Sequence, residues 1–455
     1  MRLPFRSKRL LALALAAAAV PAVALPAAAV PAAAVAAPTV SAAPEIPDSP
    51  AGRQLRWFLA APERAPLAES ELREHFNADY LKDLTAQGLN DFLQQVAGLR
   101  LEKLTKVTPT ALAGTGTISG EEFLIQLGVD GAGKINLLGV MPPEIEVPAP
   151  PKSWKELDAR LRKTAPNVGF LVAEIGAGGQ CKVVHAVGRD KVQPLGSIFK
   201  LYVLGAVAEK VRAGELSWDT KLEIKPEWRS AGEGGLNSRP DNSTTTVREA
   251  ARLMISISDN TATDLLIRTV GREAVETTMR RWSGHDKLNI PFLTTRELFL
   301  LKGVNHPEQA RTYLGLDTAG KRAYLEETVA KQALEDIKPW EKPREIGTLE
   351  WFGSPRDVCR AYAGLAKLDD KGVHGAMSVN DLSIGLDRKK WPKVWAKGGS
   401  ELGVLDMSYF ARSSKGKTYV VTVLTNDPAK AIDESKAAPE LISLSRGGFA
   451  LATGK

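Results

Sequence analysis

Three short segments in the C-terminal two-thirds of the chain carry residue types that suit acyl transfer. In chain order they are Ser197-Ile198-Phe199-Lys200, Ser258-Asp259-Asn260 and Lys397-Gly398-Gly399. A serine hydroxyl is a poor nucleophile at neutral pH, so it needs a base within hydrogen-bond reach. We therefore interpret the three segments as one acyl-transfer site whose nucleophile is Ser197.

The base in this interpretation is Lys200. Side chains three positions apart on a helix project from one face, so Lys200 and the serine share a side of the same turn. A lysine that is desolvated and close to a second cation can lose its proton near neutrality. Lys397 is that second cation. Ser258 supplies a hydroxyl that relays a proton to the leaving group, and Asn260 an amide that holds a substrate carbonyl.

The backbone around the third segment completes the predicted site. Gly398 and Gly399 carry no side chain, so a strand there can approach a substrate closely and donate an N–H group to an oxyanion. We expect the oxyanion hole to consist of the backbone N–H groups of Ser197 and Ser400. We expect Lys397 to anchor a substrate carboxylate.

The surroundings of Ser197 distinguish it from a chance match. A second Ser-x-x-Lys, from Ser414 to Lys417, lies between two apolar runs and is predicted to be a hairpin turn. Ser197 instead follows Gly196 and precedes apolar residues at helical spacing, which places it at a helix N-terminus where N–H groups face an anion. These apolar residues are Leu201, Leu204 and Ala208. The alternative is that Ser197 only caps the helix and Lys200 is a solvated residue.

The motifs S-x-x-K, S-D-N and K-T-G together mark the class A β-lactamases and penicillin-binding proteins, and residues 152–455 resemble these serine hydrolases. The run from Ile257 to Leu266 is similar to the helix that follows S-D-N in that family. The 61 positions between Ser197 and Ser258 also fit the family. The resemblance implies a β-lactamase-like α/β domain that needs no cofactor.

Strand patterns lie at both ends of this domain, whereas residues 247–367 are mainly helical. The predicted strands are 168–175, 180–187, 395–397, 404–411 and 419–424. One antiparallel sheet flanked by helices, with an all-helical lobe inserted, accounts for this order. Ser197 and Lys397 are then expected to meet in the cleft between lobe and sheet.

Two features depart from the family pattern. Gly398 stands where the family has a hydroxyl that binds a substrate carboxylate, and Ser400 is its expected replacement. Class A β-lactamases also carry a Glu-x-x-Leu-Asn loop whose glutamate activates the deacylating water. The match here, Glu233 to Asn237, precedes Ser258, so we interpret it as a turn. Glu350 is our candidate for the missing base, and a plain surface residue is the alternative.

We therefore expect a serine hydrolase that acts on β-lactams or related esters and amides through an acyl-enzyme on Ser197. The absent loop leaves an esterase or a slow, penicillin-binding acylase as alternatives within the same class. A non-catalytic module that binds a β-lactam or a cell-wall ligand is an alternative of a different class. The pair of Ser197 and Lys200 argues against that module, because binding alone does not require an activated serine.

Residues 1–36 are predicted to be a signal peptide. A basic region, an apolar stretch from Leu10 to Val23 and small-residue cleavage sites follow in order, and the stretch is too short to span a bilayer. The basic residues are Arg2, Arg6, Lys8 and Arg9. We therefore expect a secreted or periplasmic protein without a membrane anchor. Residues 37–50 form an Ala/Pro-rich tether.

An N-terminal domain is predicted over residues 51–141, followed by a linker over 142–151. Three helical patterns precede four strands, which is the order of a small α+β domain. This layout resembles the cystatin-like, steroid-isomerase-type domain that precedes a β-lactamase-like domain in a two-domain protein of the clavulanic acid pathway. It shows no acid/base pair, so we expect it to support or gate the site rather than to catalyse.

Composition argues against other classes of protein and site. The formal net charge is +7, of which four units come from the predicted signal peptide, and no stripe of Lys and Arg with interleaved aromatics predicts a nucleic-acid partner. The five histidines are isolated and lack ligand spacing, which argues against a metal site. Cys181 and Cys359 either pair, as export permits, or stay free. We favour free buried thiols, because nothing in the sequence brings the two together.

Overall fold

The computed structural model describes residues 44–454 apart from 84–85, 119, 142–145 and 233–234. The predicted signal peptide lies outside the described residues. The described residues form two compact units, one over residues 44–141 and one from residue 146 onwards.

The first unit contains short helices and a four-stranded antiparallel meander in the order β1-β2-β3-β4. Its helices are α1 (Pro50–Ala60), α2 (Glu69–His75), α3 (Ala78–Asp83) and α4 (Ala86–Gln95), and its strands are β1 (Arg100–Val107), β2 (Ala111–Ile118), β3 (Glu121–Val129) and β4 (Ile135–Met141). α1 begins at Pro50 because Ser49 accepts a hydrogen bond from the N–H of Gly52 and proline suits the first helical position. The predicted α+β class is confirmed.

The core of this unit lies between the helices and one face of the sheet. Alternate residues of β3, namely Ile125, Leu127 and Val129, are buried because strand side chains alternate between faces. Leu55 and Phe58 lie about one turn apart on α1 and belong to the same core.

The second unit is built on a five-stranded antiparallel sheet in the order β11-β12-β13-β5-β6. The strands are β5 (Asn167–Ile175), β6 (Cys181–Val187), β7 (Gln193–Pro194), β8 (Lys221–Glu223), β9 (Thr244–Thr246), β10 (Phe352–Gly353), β11 (Lys393–Glu401), β12 (Val404–Arg412) and β13 (Thr418–Asn426). The helices are α5 (Trp154–Leu161), α6 (Lys200–Arg212), α7 (Val247–Ser256), α8 (Asn260–Val270), α9 (Arg272–Trp282), α10 (Thr295–Gly303), α11 (Glu308–Leu314), α12 (Thr318–Glu327), α13 (Pro355–Leu368), α14 (Lys371–Met377) and α15 (Glu434–Ala452). The predicted sheet, flanking helices and helical lobe are confirmed.

The sheet separates two cores. Leu171 and Ala173 of β5 belong to the core shared with the inserted helices, whereas Phe170 and Val172 belong to the core shared with Leu444 of α15. The alternation of strand side chains between faces produces this division. Because both faces of β5 are covered, its sequence contains a continuous apolar run instead of alternating apolar and polar residues.

The expectation of free thiols is wrong, because Cys181 and Cys359 form a disulfide with a Cα–Cα distance of 6.3 Å. Cys181 starts β6 at the edge of the sheet, and Cys359 lies in α13, which packs across β5 and β6. The 178 positions between the two residues conceal this proximity, since it arises only when the helical lobe folds back onto the sheet. The bond therefore ties the sheet edge to a lobe helix.

Within the described part of the chain, no helix is long and apolar enough to cross a membrane. Across the same residues, no group of three or more His, Cys, Asp or Glu side chains is arranged to hold a metal ion.

Candidate active site

Ser197 lies in a single 3-10 turn, Gly196–Phe199, that leads directly into α6. The chain enters this turn through Gly196, whose φ of +45° falls in the left-handed region that favours glycine. Ser197 is half-buried. The N–H groups of a first helical turn lack partners inside the helix, so Ser197 stands where an anion is favoured.

Lys200, one turn after Ser197, is fully buried and reaches the second motif. Its Nζ donates hydrogen bonds to Ser258 O at 2.6 Å, Ser258 Oγ at 3.0 Å and Asn260 Oδ1 at 2.8 Å. α6 is buried on all sides over its first nine residues, because it runs through the centre of the unit. Lys200 is thus a buried lysine on a central helix and not a solvated residue.

The loop that carries the second motif has a constrained backbone. Ser258 has φ of +61°, a left-handed conformation that is unusual for serine. Asp259 caps α8 by accepting the N–H of Ala262 at 2.8 Å, and its second oxygen accepts the N–H of Leu236 at 2.7 Å. These two hydrogen bonds hold Ser258 and Asn260 in place on either side of the aspartate.

Lys397 on β11 completes the polar cluster from the side of the sheet. It is 3 % exposed, and its Nζ donates to Ser258 Oγ at 3.1 Å and to Gly398 O at 2.7 Å. Ser258 Oγ is therefore hydrogen-bonded to both lysines. When both lysines donate, the two lone pairs of the hydroxyl are occupied and its O–H remains to donate to a third atom.

The nucleophile turn and β11 touch through backbone atoms. A Cβ placed on Gly399 would lie 2.2 Å from Leu195 O and 3.0 Å from Ser197 N, and one on Gly196 would lie 3.0 Å from Ser400 N. Only glycine fits such contacts, so the two segments approach as the sequence predicts. Gly398 is less constrained, since the nearest neighbour of a Cβ there is Leu382 at 3.3 Å.

Residues 230–232, together with 235–237 of the predicted turn, support the second motif. Asn260 Nδ2 donates to Ala231 O at 2.9 Å, and Asn237 Nδ2 donates to Ser230 O at 2.9 Å. Thr261 Oγ1 accepts the N–H of Ser230 at 3.0 Å. Of the predicted turn at 233–237, residues 235–237 fall in a 3-10 turn, whereas 233 and 234 lie outside the described residues. Asn237, the last residue of that predicted turn, also accepts a hydrogen bond from Thr261. Ser230 and Ala231 carry no sequence signal, because they contact the second motif through backbone atoms.

Glu350, the candidate deacylating base, is placed in a different set of contacts. Its side chain is 1 % exposed, Oε1 lies 3.2 Å from Lys302 Nζ, and Oε2 accepts the N–H of Trp351 at 3.1 Å. Among the described residues, neither Ser197 nor Lys200 hydrogen-bonds to Glu350. The deacylating role of Glu350 therefore stays a prediction from sequence.

Asp406 of β12 lies directly opposite Gly399 of β11 and is buried. Oδ1 accepts the N–H of Thr425 at 2.7 Å, and Oδ2 has no hydrogen-bond partner among the described residues. Burial raises the pKa of this carboxyl well above its usual value, although the Thr425 hydrogen bond opposes the shift. At a pH between the unfolded and the folded pKa, Asp406 therefore binds a proton in the folded protein that the unfolded chain releases.

We expect Asp406→Asn to become progressively more stable than wild type as the pH rises above about 4, the unfolded pKa of an aspartate. Above that pH the wild type must take up a proton to fold, which lowers its free energy of unfolding by up to about 1.4 kcal/mol per pH unit. Asparagine has no such proton. Thermal unfolding of both proteins at about pH 5 and about pH 8 measures the difference.

Asp264→Asn is the contrasting variant. Burial also raises the pKa of Asp264, to about 6, but its two oxygens accept the N–H groups of Thr295 and Arg296 at 2.7 and 2.8 Å. An amide has one acceptor oxygen, so this variant is expected to lose stability at every pH. A pH-independent difference between Asp406→Asn and wild type would contradict the prediction.

Both parts of the chain are similar to known protein families. Residues 152–445 match the family model described as Beta-lactamase enzyme family, and residues 46–135 match that described as ORF 12 gene product N-terminal. The solved structure of PBP-A is similar at 18% identity over 67% of this chain and 99% of its own, with a TM-score of 0.44. A β-lactamase from Sphaerobacter thermophilus DSM 20745 is similar at 21% identity over 66% and 97% of the two chains, with a TM-score of 0.44.

Proposed function

Because the chain belongs to the β-lactamase enzyme family, we propose that it is a serine hydrolase that is acylated on Ser197 by a β-lactam or by a related ester or amide. The observation that carries the proposal is the convergence of Lys200 and Lys397 on the Ser258 hydroxyl, at 3.0 and 3.1 Å, next to the turn that holds Ser197. An arrangement that only bound a ligand would not need two buried lysines on one serine oxygen.

In the first step, Ser197 Oγ attacks the substrate carbonyl carbon while its proton passes to Lys200. Lys200 can accept that proton only as the neutral amine, which donates two hydrogen bonds rather than the three seen to Ser258 and Asn260. Burial and a neighbouring cation favour the neutral form in lysines. The new Oγ–C bond converts the carbonyl oxygen into an oxyanion. The N–H groups of Ser197 and Ser400, which the glycine contacts bring together, are the proposed donors to that oxyanion.

In the second step, the bond to the leaving nitrogen or oxygen breaks and the leaving atom takes a proton from Ser258. Lys200 replaces that proton across their hydrogen bond, so the amine is neutral again. Asn260 holds a substrate carbonyl, and Lys397 attracts a substrate carboxylate, with Ser400 in place of the hydroxyl missing at Gly398. Water then attacks the acyl-enzyme in a third step and releases the product.

The third step lacks an identified base, so we expect acylation to outpace deacylation on penicillins. Both oxygens of the candidate Glu350 already accept hydrogen bonds, one from Lys302 and one from the Trp351 N–H. Stopped-flow hydrolysis should show a burst of product followed by slow turnover, with comparatively better activity on small esters. Rapid, linear penicillin turnover without a burst would show that an efficient deacylating base exists.

Export and the role of the first unit belong to the same proposal. The ordered basic, apolar and small-residue regions support a secreted or periplasmic protein, and the Cys181–Cys359 disulfide suits an oxidising compartment. N-terminal sequencing of the exported protein should begin between Leu25 and Ser41. The first unit is proposed to support or gate the site.

The test of the function is intact-mass analysis after incubation with benzylpenicillin and with an activated ester, beside turnover of a chromogenic cephalosporin. A stable acyl mass with slow turnover supports the penicillin-binding acylase, whereas ester turnover alone supports the esterase. Reversible binding without any adduct or turnover would overturn the proposal in favour of a non-catalytic binding module.

A further inference from the structure

A charged cluster is buried behind the two segments that carry the proposed oxyanion donors. Lys302 on α10 is fully buried, and its Nζ lies 2.8 and 3.0 Å from the two carboxyl oxygens of Glu401 and 3.2 Å from Glu350 Oε1. Glu401 is the last residue of β11 and directly follows Ser400. The acylation steps use none of these three side chains.

One end of the cluster is attached to the nucleophile turn. Glu350 accepts the N–H of Trp351 at 3.1 Å, and the Trp351 ring stacks on Phe199 with 3.6 Å between the ring centroids. Trp351 O in turn accepts the N–H of Leu195 at 2.8 Å. Trp351 therefore contacts the chain on both sides of Ser197, at Phe199 inside the turn and at Leu195 just before it.

The other end is attached to the strand that faces the turn. Glu401 lies two residues beyond Gly399, whose backbone touches the turn at Leu195 and Ser197. Residues two apart on a strand project from the same face, so Glu401 lies on the Gly399 side of β11. Lys302 thus joins the turn and the strand through one buried cation.

We propose that Lys302, Glu350 and Glu401 act as a clamp that sets the separation between the Ser197 turn and the Ser400 strand, and so the geometry of the oxyanion hole. They are positioning residues, because their contacts reach the site through Trp351 and β11 and not through the reacting atoms. The inference rests on the proposed function, since it assumes that the N–H groups of Ser197 and Ser400 bind an oxyanion.

The charge balance of the clamp depends on one proton. One lysine and two ionised carboxylates would leave a buried net negative charge, which is costly. Burial raises the pKa of Glu401 to about 8, against the attraction of Lys302 and with repulsion from Glu350. Asp406 is another acid whose pKa burial raises, and repulsion from Glu350 adds to that rise. The Arg344 guanidinium also lies next to the clamp, where it donates a hydrogen bond to Lys302 O at 2.9 Å. Loss of the Glu401 proton in alkaline solution therefore adds a negative charge to the clamp.

The experiment measures the single-turnover rate of acylation by benzylpenicillin, normalised to folded protein, across the pH range. In Lys302→Met the rate should fall by roughly 10- to 100-fold, as expected for a misplacement of about 1 Å, while penicillin affinity changes little. In the wild type, the rate should decline in alkaline solution as Glu401 ionises. Glu401→Gln cannot ionise, so its rate should lack this decline, whatever rate it has at neutral pH. Glu440→Gln, which removes an ion pair with Arg160, is the matched control and should keep the wild-type profile.

Wild-type rates in folded Lys302→Met, or an unchanged alkaline decline in Glu401→Gln, would overturn the clamp. If Lys302→Met does not fold, the pH profile of Glu401→Gln still decides the question. Failure of the proposed function has a different signature, because the wild type itself would then carry no adduct on Ser197.

Discussion

Ser197→Ala is expected to abolish covalent labelling by benzylpenicillin and by an activated ester, and to lower turnover by at least ~10⁴-fold, as removal of a nucleophilic serine does in other serine hydrolases. The physical reason is that Lys200 and Ser258 can move protons but offer no atom at the position of Ser197 Oγ. Intact-mass analysis of labelled protein, followed by peptide mapping, measures the effect directly.

Ser414→Ala is the matched control, because Ser414 and Lys417 repeat the Ser-x-x-Lys spacing in the hairpin between β12 and β13. The backbone N–H of Ser414 donates a hydrogen bond to Lys390 O at 2.8 Å, and alanine preserves this bond. This variant should label and turn over like wild type. Equal labelling of Ser197→Ala and wild type would show that the nucleophile is another residue.

Reduction of the Cys181–Cys359 disulfide is expected to lower the free energy of unfolding of the second unit by about 2–5 kcal/mol. The bond closes a loop of 178 positions, and such a cross-link restricts the unfolded chain strongly. Chemical unfolding with and without a reductant, followed by near-UV circular dichroism, measures the shift of the midpoint.

Two cysteine variants separate the bond from its residues. Cys181 is half-buried, so Cys181→Ser should match the reduced wild type closely, whereas Cys359 is fully buried and Cys359→Ala adds the loss of a buried side chain. Neither variant should respond to the reductant. Identical midpoints for oxidised and reduced wild type would contradict the prediction.

The elements that position the site were predictable from sequence because local patterns determine them. The glycine before Ser197, the apolar spacing after it and the paired strand patterns are all short-range signals, and the five strands of the sheet are where these signals placed them. The meeting of Lys200, Ser258 and Lys397 also followed, because three motifs in one order imply a common cleft.

The contacts that escaped prediction are those made by residues distant in sequence. Cys181 and Cys359 meet because α13 crosses the sheet edge, and Lys302 meets Glu401 because a lobe helix ends beside β11. A lone buried lysine or glutamate has no signature in a single sequence, since charged side chains are ordinarily exposed. Register and packing determine such pairs, and short-range patterns contain neither.

The order of strands in the sheet has a consequence for biosynthesis. β5 precedes the nucleophile turn, yet its partner β13 comes from residues 418–426, more than 200 positions later. A ribosome must therefore deliver the chain through residue 426 before this pairing is complete, and long-range pairing of this kind is slow. A nascent chain that ends before β13 cannot close its sheet. For a protein exported as proposed, this delay keeps the polypeptide open for translocation and leaves assembly of the site to the destination compartment.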